Sequence, residues 1–385
     1  MSAIALVLPG LFGAAAPASQ QPADDEPFVY SPDPVLVDEV MAQLPPRDDT
    51  VATDVHVQRE NADKWAFGTV VQVAPEEPER HPDGWLWLAW AEGDRWRVAL
   101  EGSPQFARVS DDAPVLTEPE QEVLGTTGYG GSAPLATDFR TGMRLPYAVG
   151  QQWRYTGGPH PMSGTVRSSI DLAGGDGRVL AAADGYAYTM CPSETGWIRV
   201  VHGRGFATDY YHLEDNIVVY GSAVAEGDYI GMIGNDVSCG GSSTGPHVHF
   251  SLRRDGEYVP IDGYNLGKWV IGAGAANYQG FARHGSTRVD VGGVLHNHGA
   301  LALDEGVVDT FGPGELNRRG GPGAEHEIVG SVADGATVTI ECSARGSDHT
   351  GRDRTTNVWH RLGDGGWVSA AYVWTGAPDP LTRWC

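Results

Sequence analysis

The sequence predicts a mainly β protein, and three observations carry that prediction. Glycine accounts for 53 of 385 residues, Trp and Tyr together number 26, and short β-branched or aromatic runs recur between the glycines. Such a composition makes strands and many turns, while the long Leu/Ala/Glu/Lys runs that favour helices are few. At roughly 100–200 residues per domain, the length suggests two or three domains. Apolar residues at 41% and charged residues at 20% exclude a wholly disordered chain. A formal net charge of −24 argues against nucleic acid or an anionic membrane as partner, since both need a basic face.

The elements follow in order. Residues 3–16 form an apolar run of h-region length, Ala16-Pro17-Ala18 offers small residues for cleavage, and a polar stretch follows. This reads as an export signal over 1–18. Lys and Arg are absent before Arg47, so the positive n-region is missing and the start is expected upstream of Met1. No other stretch reaches the ~18 apolar residues that span a bilayer. The exported chain is therefore expected to be soluble, extracellular and monomeric, with no membrane association. Residues 22–124 hold 23 Asp/Glu against 7 Lys/Arg, a net of −16. That excess reads either as solubility or salt adaptation, or as a separate acidic pro-segment. Within it, 33–44 reads as a short helix stopped by Pro45-Pro46. Trp65–Val73 reads as a strand, and 84–91 with 95–100 as a hairpin about Glu92-Gly93-Asp94. The acidic 109–122 and the Gly-rich 125–131 read as a linker.

Residues 142–265 carry repeated short strands, among them Arg178–Ala182, Tyr186–Met190, Trp197–Val201, Phe206–His212, Tyr229–Ile233 and Val248–Leu252. A further β-rich unit covers about 303–385. Four cysteines allow three pairings. Cys191 and Cys239 fall in one compact region and Cys342 and Cys385 in another, so pairing within each region is the simplest choice. Each bridge would close a long loop, worth roughly 4 kcal/mol on the chain-entropy account. Cys-x-x-Cys does not occur, so a thiolate zinc site or redox dithiol is unsupported.

The chemistry lies in Gly240-Gly241-Ser242-Ser243-Thr244-Gly245-Pro246-His247-Val248-His249-Phe250. A His-x-His in a strand sets both imidazoles on one face, while Val248, Phe250 and Leu252 take the other. That is a dry core face backing a candidate metal site, and the preceding glycines let a substrate backbone approach closely. Upstream stand Gly158-Pro159-His160, Ser169-Ile170-Asp171 and Asp209-Tyr210-Tyr211-His212. Together they supply three His/Asp ligands for one Zn²⁺ ion and two spare imidazoles for proton transfer.

Over roughly 136–280 the sequence resembles the lysostaphin-type zinc metalloendopeptidases, and within them the staphylolysin and beta-lytic group. The resemblance rests on Gly157-Gly158-Pro159-His160, Ser169-Ile170-Asp171, Val200-x-His202, Tyr210-Tyr211-His212, Ile230-Gly231, the run Cys239 to Leu252, and Asn277-Tyr278. It implies an antiparallel-sheet peptidase domain with His160, Asp171 and His249 as zinc ligands and His212 and His247 as catalytic histidines. It also implies a Cys191–Cys239 disulfide and Tyr278 as an oxyanion donor. Tyr211 is a second tyrosine of that kind, but it alternates away from His212 if the strand is regular. Asp176 and Asp184 stay open as rival ligands, because the His160-to-Asp171 gap is longer than in the shorter members. The group's second catalytic-unit disulfide has no cysteines here. His202 is expected to be structural, and His296 and His298 to be linker surface. The Trp359-His360 pair lacks the Glu that D-alanyl-D-alanine metallopeptidases place before it, since Thr356 stands there.

The tail resembles a bacterial SH3-like domain, through Leu316–Gly323, Val332–Val338 and Thr356–Val373. Segment 64–104 looks like the propeptide of staphylolysin-type enzymes, with the mature enzyme starting near Ala133. The expected organisation is a signal peptide over 1–18, a small α+β acidic propeptide over 19–132, the peptidase domain over 133–285, a linker over 286–302 and a small SH3-like β-barrel over 303–385. The resemblance implies a secreted, latent zinc endopeptidase acting on the peptide, Gly-rich by preference, of bacterial peptidoglycan. The competing expectation is an inactive wall-binding protein or hydrolase activator on the same fold.

Overall fold

The computed structural model describes residues 32–62, 64–128 and 138–385. The export segment 1–18 and the start near Ala133 lie outside the described residues. The helix Pro34–Ala42 begins where Asp33 accepts the Val35 amide at 2.9 Å, with proline in its first turn, and it buries Leu36 and Val40. Four strands, Ala52–Glu60, Trp65–Val73, Asp83–Glu92 and Arg95–Leu100, then form an antiparallel meander. Gly93, at φ 64°, makes the last turn. The stretch 109–122 expected as a linker is instead partly helical: it holds most of the helix Glu118–Leu124 and begins at the end of another, Pro104–Ser110. Their prolines stand in the first turn, where they start a helix rather than break one. A Thr117–Glu120 capping box holds Glu118–Leu124.

The central unit of the chain is built on an eleven-stranded sheet. Its central order is Gly185–Thr189, Gly196–Val201, Phe206–Glu214, Val248–Arg254, Ser169–Gly174 and Gln152–His160, each pair antiparallel. One face packs a core of Ile198, Val200, Tyr210, Val248, Phe250 and Leu252. The other face sets Trp197, Val201, Ala207 and Tyr211 against Phe67, Leu86, Leu88 and Phe106 of the N-terminal unit. The strand Gly196–Val201 is therefore buried at every position, and the acidic unit shares a core with the sheet. At the centre of this contact Arg199 binds Glu101 at 2.5 Å and Asp209 at 2.8 Å, with all three side chains out of solvent.

Residues 286–302 are not a free linker. Thr287–Asp290 pairs with Gly280–His284, and Val294–His296 pairs with the start of Gln152–His160. Strand pairing and ring packing fix the segment that was expected to be a linker. His296 and His298 are accordingly half-buried, and the His298 ring stacks on His284 at 4.2 Å. Both cysteine pairs form as expected, Cys191–Cys239 and Cys342–Cys385, and among the described residues no cysteine is free. The tail is a seven-stranded sheet around Val308, Leu316, Val338, Ile340, Leu362 and Val368. It is tied to the strand Gly280–His284 and the turn after it by Arg283–Asp353 at 2.9 Å and by Ser286 Oγ donating to Asp334 at 2.6 Å. His360 belongs to this core, paired with Ser343 Oγ at 3.0 Å. Among the described residues no helix is long and apolar enough to cross a membrane.

Candidate metal centre and active site

Three adjacent strands bring the histidines and the aspartate to one cross-section. Asp171 lies directly opposite His249 in one pairing and opposite Gly157 in the other. Gly157 is required there, because a Cβ would meet Asp171 Oδ2 at 2.3 Å. Past Gly157 the register shifts and His160 swings in beside the carboxylate. His160 Nε2 is 3.0 Å from His249 Nδ1 and 3.4 Å from Asp171 Oδ1, and His249 Nδ1 is 3.2 Å from the same oxygen. Metal–ligand bonds of about 2.0–2.1 Å at tetrahedral angles set neighbouring donors about 3.3 Å apart. The spacing therefore fits a zinc ion, as does the chemistry of two imidazoles and a carboxylate.

Hydrogen bonding points the same way. His160 Nδ1 donates to Gly158 O at 2.7 Å, which leaves Nε2 as the bare nitrogen. Asp171 Oδ1 is buried without a hydrogen-bond donor. Burial would raise the Asp171 carboxyl, but the imidazoles of His160 and His249 outweigh it and hold the group well below the usual carboxylate range. Burial and neighbouring imidazoles keep His249 neutral, as a ligand must be, although the Asp171 carboxylate opposes them. Among the described residues, His160, Asp171 and His249 are the one group that could hold a metal ion. The rival aspartates do other work: Asp176 accepts the Arg178 amide at 3.1 Å and Asp184 the Glu226 amide at 2.7 Å.

Two more histidines face the same space. His247 precedes the strand Val248–Arg254 and is bridged to Gly234. Its Nδ1 donates to Gly245 O at 2.7 Å, and its Nε2 stands 3.5 Å from Asp171 Oδ1. His212 donates from Nδ1 to Asp236 O at 2.8 Å, and its ring lies 4.9 Å from that of His247. Burial, reinforced by His247, pushes the His212 imidazole down to about 4. The strand is not regular at this point. His212 has φ 65° and the pairing shifts between Tyr210 and Leu213, so Tyr211 and His212 stack at 4.4 Å instead of alternating. Left-handed backbone at a non-glycine costs about 1–3 kcal/mol and is found at functional sites. Tyr211 is nonetheless turned away from the cleft, its hydroxyl donating to Gly240 O at 2.6 Å.

Tyr278 covers His160, ring on ring at 4.0 Å, and its backbone bridges Gly158. Burial raises its hydroxyl to about 12, so it stays a donor at neutral pH. His202 lies away from the centre, its ring nitrogens held by Asp184 O at 2.8 Å and Thr208 Oγ1 at 2.9 Å. The cleft over the metal group measures about 620 Å³. Its lining also includes Pro78, Glu79 and His81 of the N-terminal unit, which the sequence did not reveal. They form no motif with the distant histidines, and only the docking of the two units brings them together.

The sequence profile described as Peptidase family M23 matches residues 165–261. Protease LasA of Pseudomonas aeruginosa is 33% identical over 151 residues, covering 37% of this chain. The beta-lytic metalloendopeptidase of Lysobacter enzymogenes is 31% identical over 149 residues, covering 35% of this chain and 82% of that protein. A solved structure described as a novel M23 metalloprotease, pseudoalterin, from the deep sea is 31% identical, covers 40% of this chain and 97% of that one, and superposes with a TM-score of 0.37. The matched region spans only 36% of the length of LasA. It spans most of the Lysobacter protein, and on that relationship the chain belongs to peptidase family M23.

Proposed function

We propose that this chain is a secreted zinc metalloendopeptidase, made latent, that hydrolyses the peptide cross-links of bacterial peptidoglycan. The observation that carries the proposal is the triangle of His160 Nε2, Asp171 Oδ1 and His249 Nδ1, with edges of 3.0, 3.4 and 3.2 Å, beside two further imidazoles. Three protein ligands leave a position for water or substrate, the pattern of catalytic rather than structural zinc. When bound there, zinc supplies Lewis acidity toward a peptide carbonyl and toward water.

The chain's own residues do the rest. His247 and His212 each fix their Nδ1 proton on a backbone carbonyl, so each offers Nε2 to the cleft. One takes a proton on its bare Nε2 from the attacking water and returns it to the leaving amine; the Tyr278 hydroxyl donates to the developing oxyanion, joined by the other imidazole only when that ring is protonated on Nε2 as well as Nδ1. Glycyl peptide is the favoured substrate in this reading because the family that the sequence resembles prefers glycyl bonds. The relatives named protease and metalloendopeptidase support a peptide-bond reaction. The disulfides fit an oxidising, extracellular setting, and the tail is assigned to holding the enzyme on wall peptide. Latency is supported by the N-terminal side chains that line the cleft.

The test is digestion of purified walls with glycine bridges and with direct cross-links, using full chain and chain trimmed within 129–137, with products identified by mass. Cleavage of glycyl bonds by the trimmed protein alone is expected. A zinc-loaded trimmed protein that releases no peptide from either wall overturns the enzymatic reading in favour of an inactive wall-binding protein.

A further inference from the structure

Resting on the peptidase reading above, we infer that residues 74–81 occupy the cleft that the substrate peptide must enter, anchored on the backbone of the turn Cys239–Gly241. The segment is held there by main-chain hydrogen bonds to that turn. The Ala74 amide donates to Cys239 O at 3.2 Å, and the Gly241 amide donates to Pro75 O at 3.1 Å. The turn must carry glycine for this approach: a Cβ at Gly240 would meet Ala74 O at 2.1 Å, and one at Gly241 would meet Arg80 O at 2.9 Å. The glycines that precede the His-x-His are thus matched to a backbone lying across them.

From that anchor the segment turns tightly, with the Glu77 amide on Pro75 O at 2.8 Å and the Arg80 amide on Glu77 O at 3.2 Å. Glu79 takes φ 60°, a conformation that non-glycine residues hold only when their surroundings impose it. The turn brings Pro78, Glu79 and His81 into the cleft beside the metal group. The His81 ring centre is 6.2 Å from that of His249. Arg47 locks the far end, donating to His81 O at 2.5 Å while it is paired with Asp49. A carboxylate and an imidazole are groups that suit a dication, so the segment competes with substrate for the neighbourhood of the metal. Because its anchors lie within the folded unit, a cut in 129–137 alone leaves it in place. Activation requires the unit to leave.

The experiment uses the full chain loaded with Co²⁺, whose visible spectrum reports its ligands, and a hydroxamate-capped diglycine as probe. Wild type is compared with Pro78→Gly/Glu79→Ser/His81→Ser and with His81→Ala alone, which keeps the turn if the triple variant misfolds. The expected result is probe affinity at least tenfold higher in the triple variant, intermediate in His81→Ala, and unchanged in wild type nicked within 129–137 but not dissociated. Equal affinity in all proteins overturns the plug and leaves the peptidase reading standing. Cobalt bound by all, with the probe taken by none, also overturns it, since these side chains would then not be what blocks the site. Failure of every protein to bind cobalt sinks the peptidase reading itself.

Discussion

Arg199, in the centre of the catalytic sheet, makes its 2.5 Å contact with Glu101 of the N-terminal unit where neither side chain meets solvent. Arg253 lies 3.6 Å from the same carboxylate. Asp209 remains to Arg199 when the N-terminal unit leaves, so the arginine is not orphaned in the released enzyme. Removing one partner of a buried pair costs about 3–5 kcal/mol. Glu101→Ala should therefore weaken docking of the N-terminal unit after nicking within 129–137, raising its dissociation constant by 10²-fold or more. Size-exclusion or fluorescence titration of nicked protein measures this. An unchanged constant would mean that the apolar contact alone holds the unit.

The five residues at the centre should divide by zinc content. His160→Ala, Asp171→Ala and His249→Ala each leave two protein donors, too few to hold catalytic zinc, and should purify largely metal-free. His247→Ala and His212→Ala leave the triangle whole, and should keep zinc while losing activity by roughly 10²–10⁴-fold. Elemental analysis of folded, dialysed protein separates the classes. A metal-free His247 variant beside a zinc-bearing His249 variant would reverse the assignment within the His-x-His.

Much of this centre was legible because its parts are local. Val248, Phe250 and Leu252 pack the core while His249 faces the other way, as strand alternation demands. What was not legible depends on register and docking. The bulge that stacks Tyr211 on His212 breaks the alternation rule and leaves no trace in residue order. The all-buried strand Gly196–Val201 carries Arg199 in its middle, which reads as an exposed position until the Glu101 partner is known. The helix Glu118–Leu124 was hidden by a proline and acids that look like a linker but serve as first-turn and capping residues.

His202 sets a pH limit on the fold. It is fully buried between Asp184 O and Thr208 Oγ1, and burial pushes its imidazole down to about 4. The unfolded chain takes up this proton near pH 6.5, whereas the folded chain resists until about 4. The stability it contributes is thus fully present above about pH 6.5 and lost as pH falls toward 4, amounting to about 2 kcal/mol between pH 7 and 5. Urea unfolding at both pH values should show this loss in wild type and a smaller one in His202→Gln, which bonds but does not titrate. Identical losses would place the titrating group elsewhere.

Deleting 303–385 should reduce binding to whole walls more than turnover of a short soluble peptide, because the tail holds none of the zinc-binding residues. The contacts Arg283–Asp353 and Ser286–Asp334 are lost with it, so a control is needed. Asp334→Asn with Asp353→Asn weakens these two ties but keeps the domain and its remaining contacts, such as Arg283–Asp309 at 3.5 Å. Proportional loss on both substrates in the deletion would make the tail structural.

Tyr278 is placed to do two separable things. Its ring packs on His160 at 4.0 Å, and its hydroxyl, raised to about 12 and so protonated at neutral pH, is free to donate in the cleft. Its backbone has φ 64°, so the residue is held in a conformation that its bridge to Gly158 imposes. Tyr278→Phe keeps the ring and removes the donor. If the hydroxyl stabilises the oxyanion, kcat should fall by roughly 10²–10³-fold, the usual cost of one such donor, with KM and zinc content unchanged. Tyr278→Ala should lower kcat to the same degree and also loosen the metal, since His160 loses the ring that covers it. A Phe variant with wild-type kcat, beside an Ala variant that loses zinc, would reduce Tyr278 to a packing residue for His160.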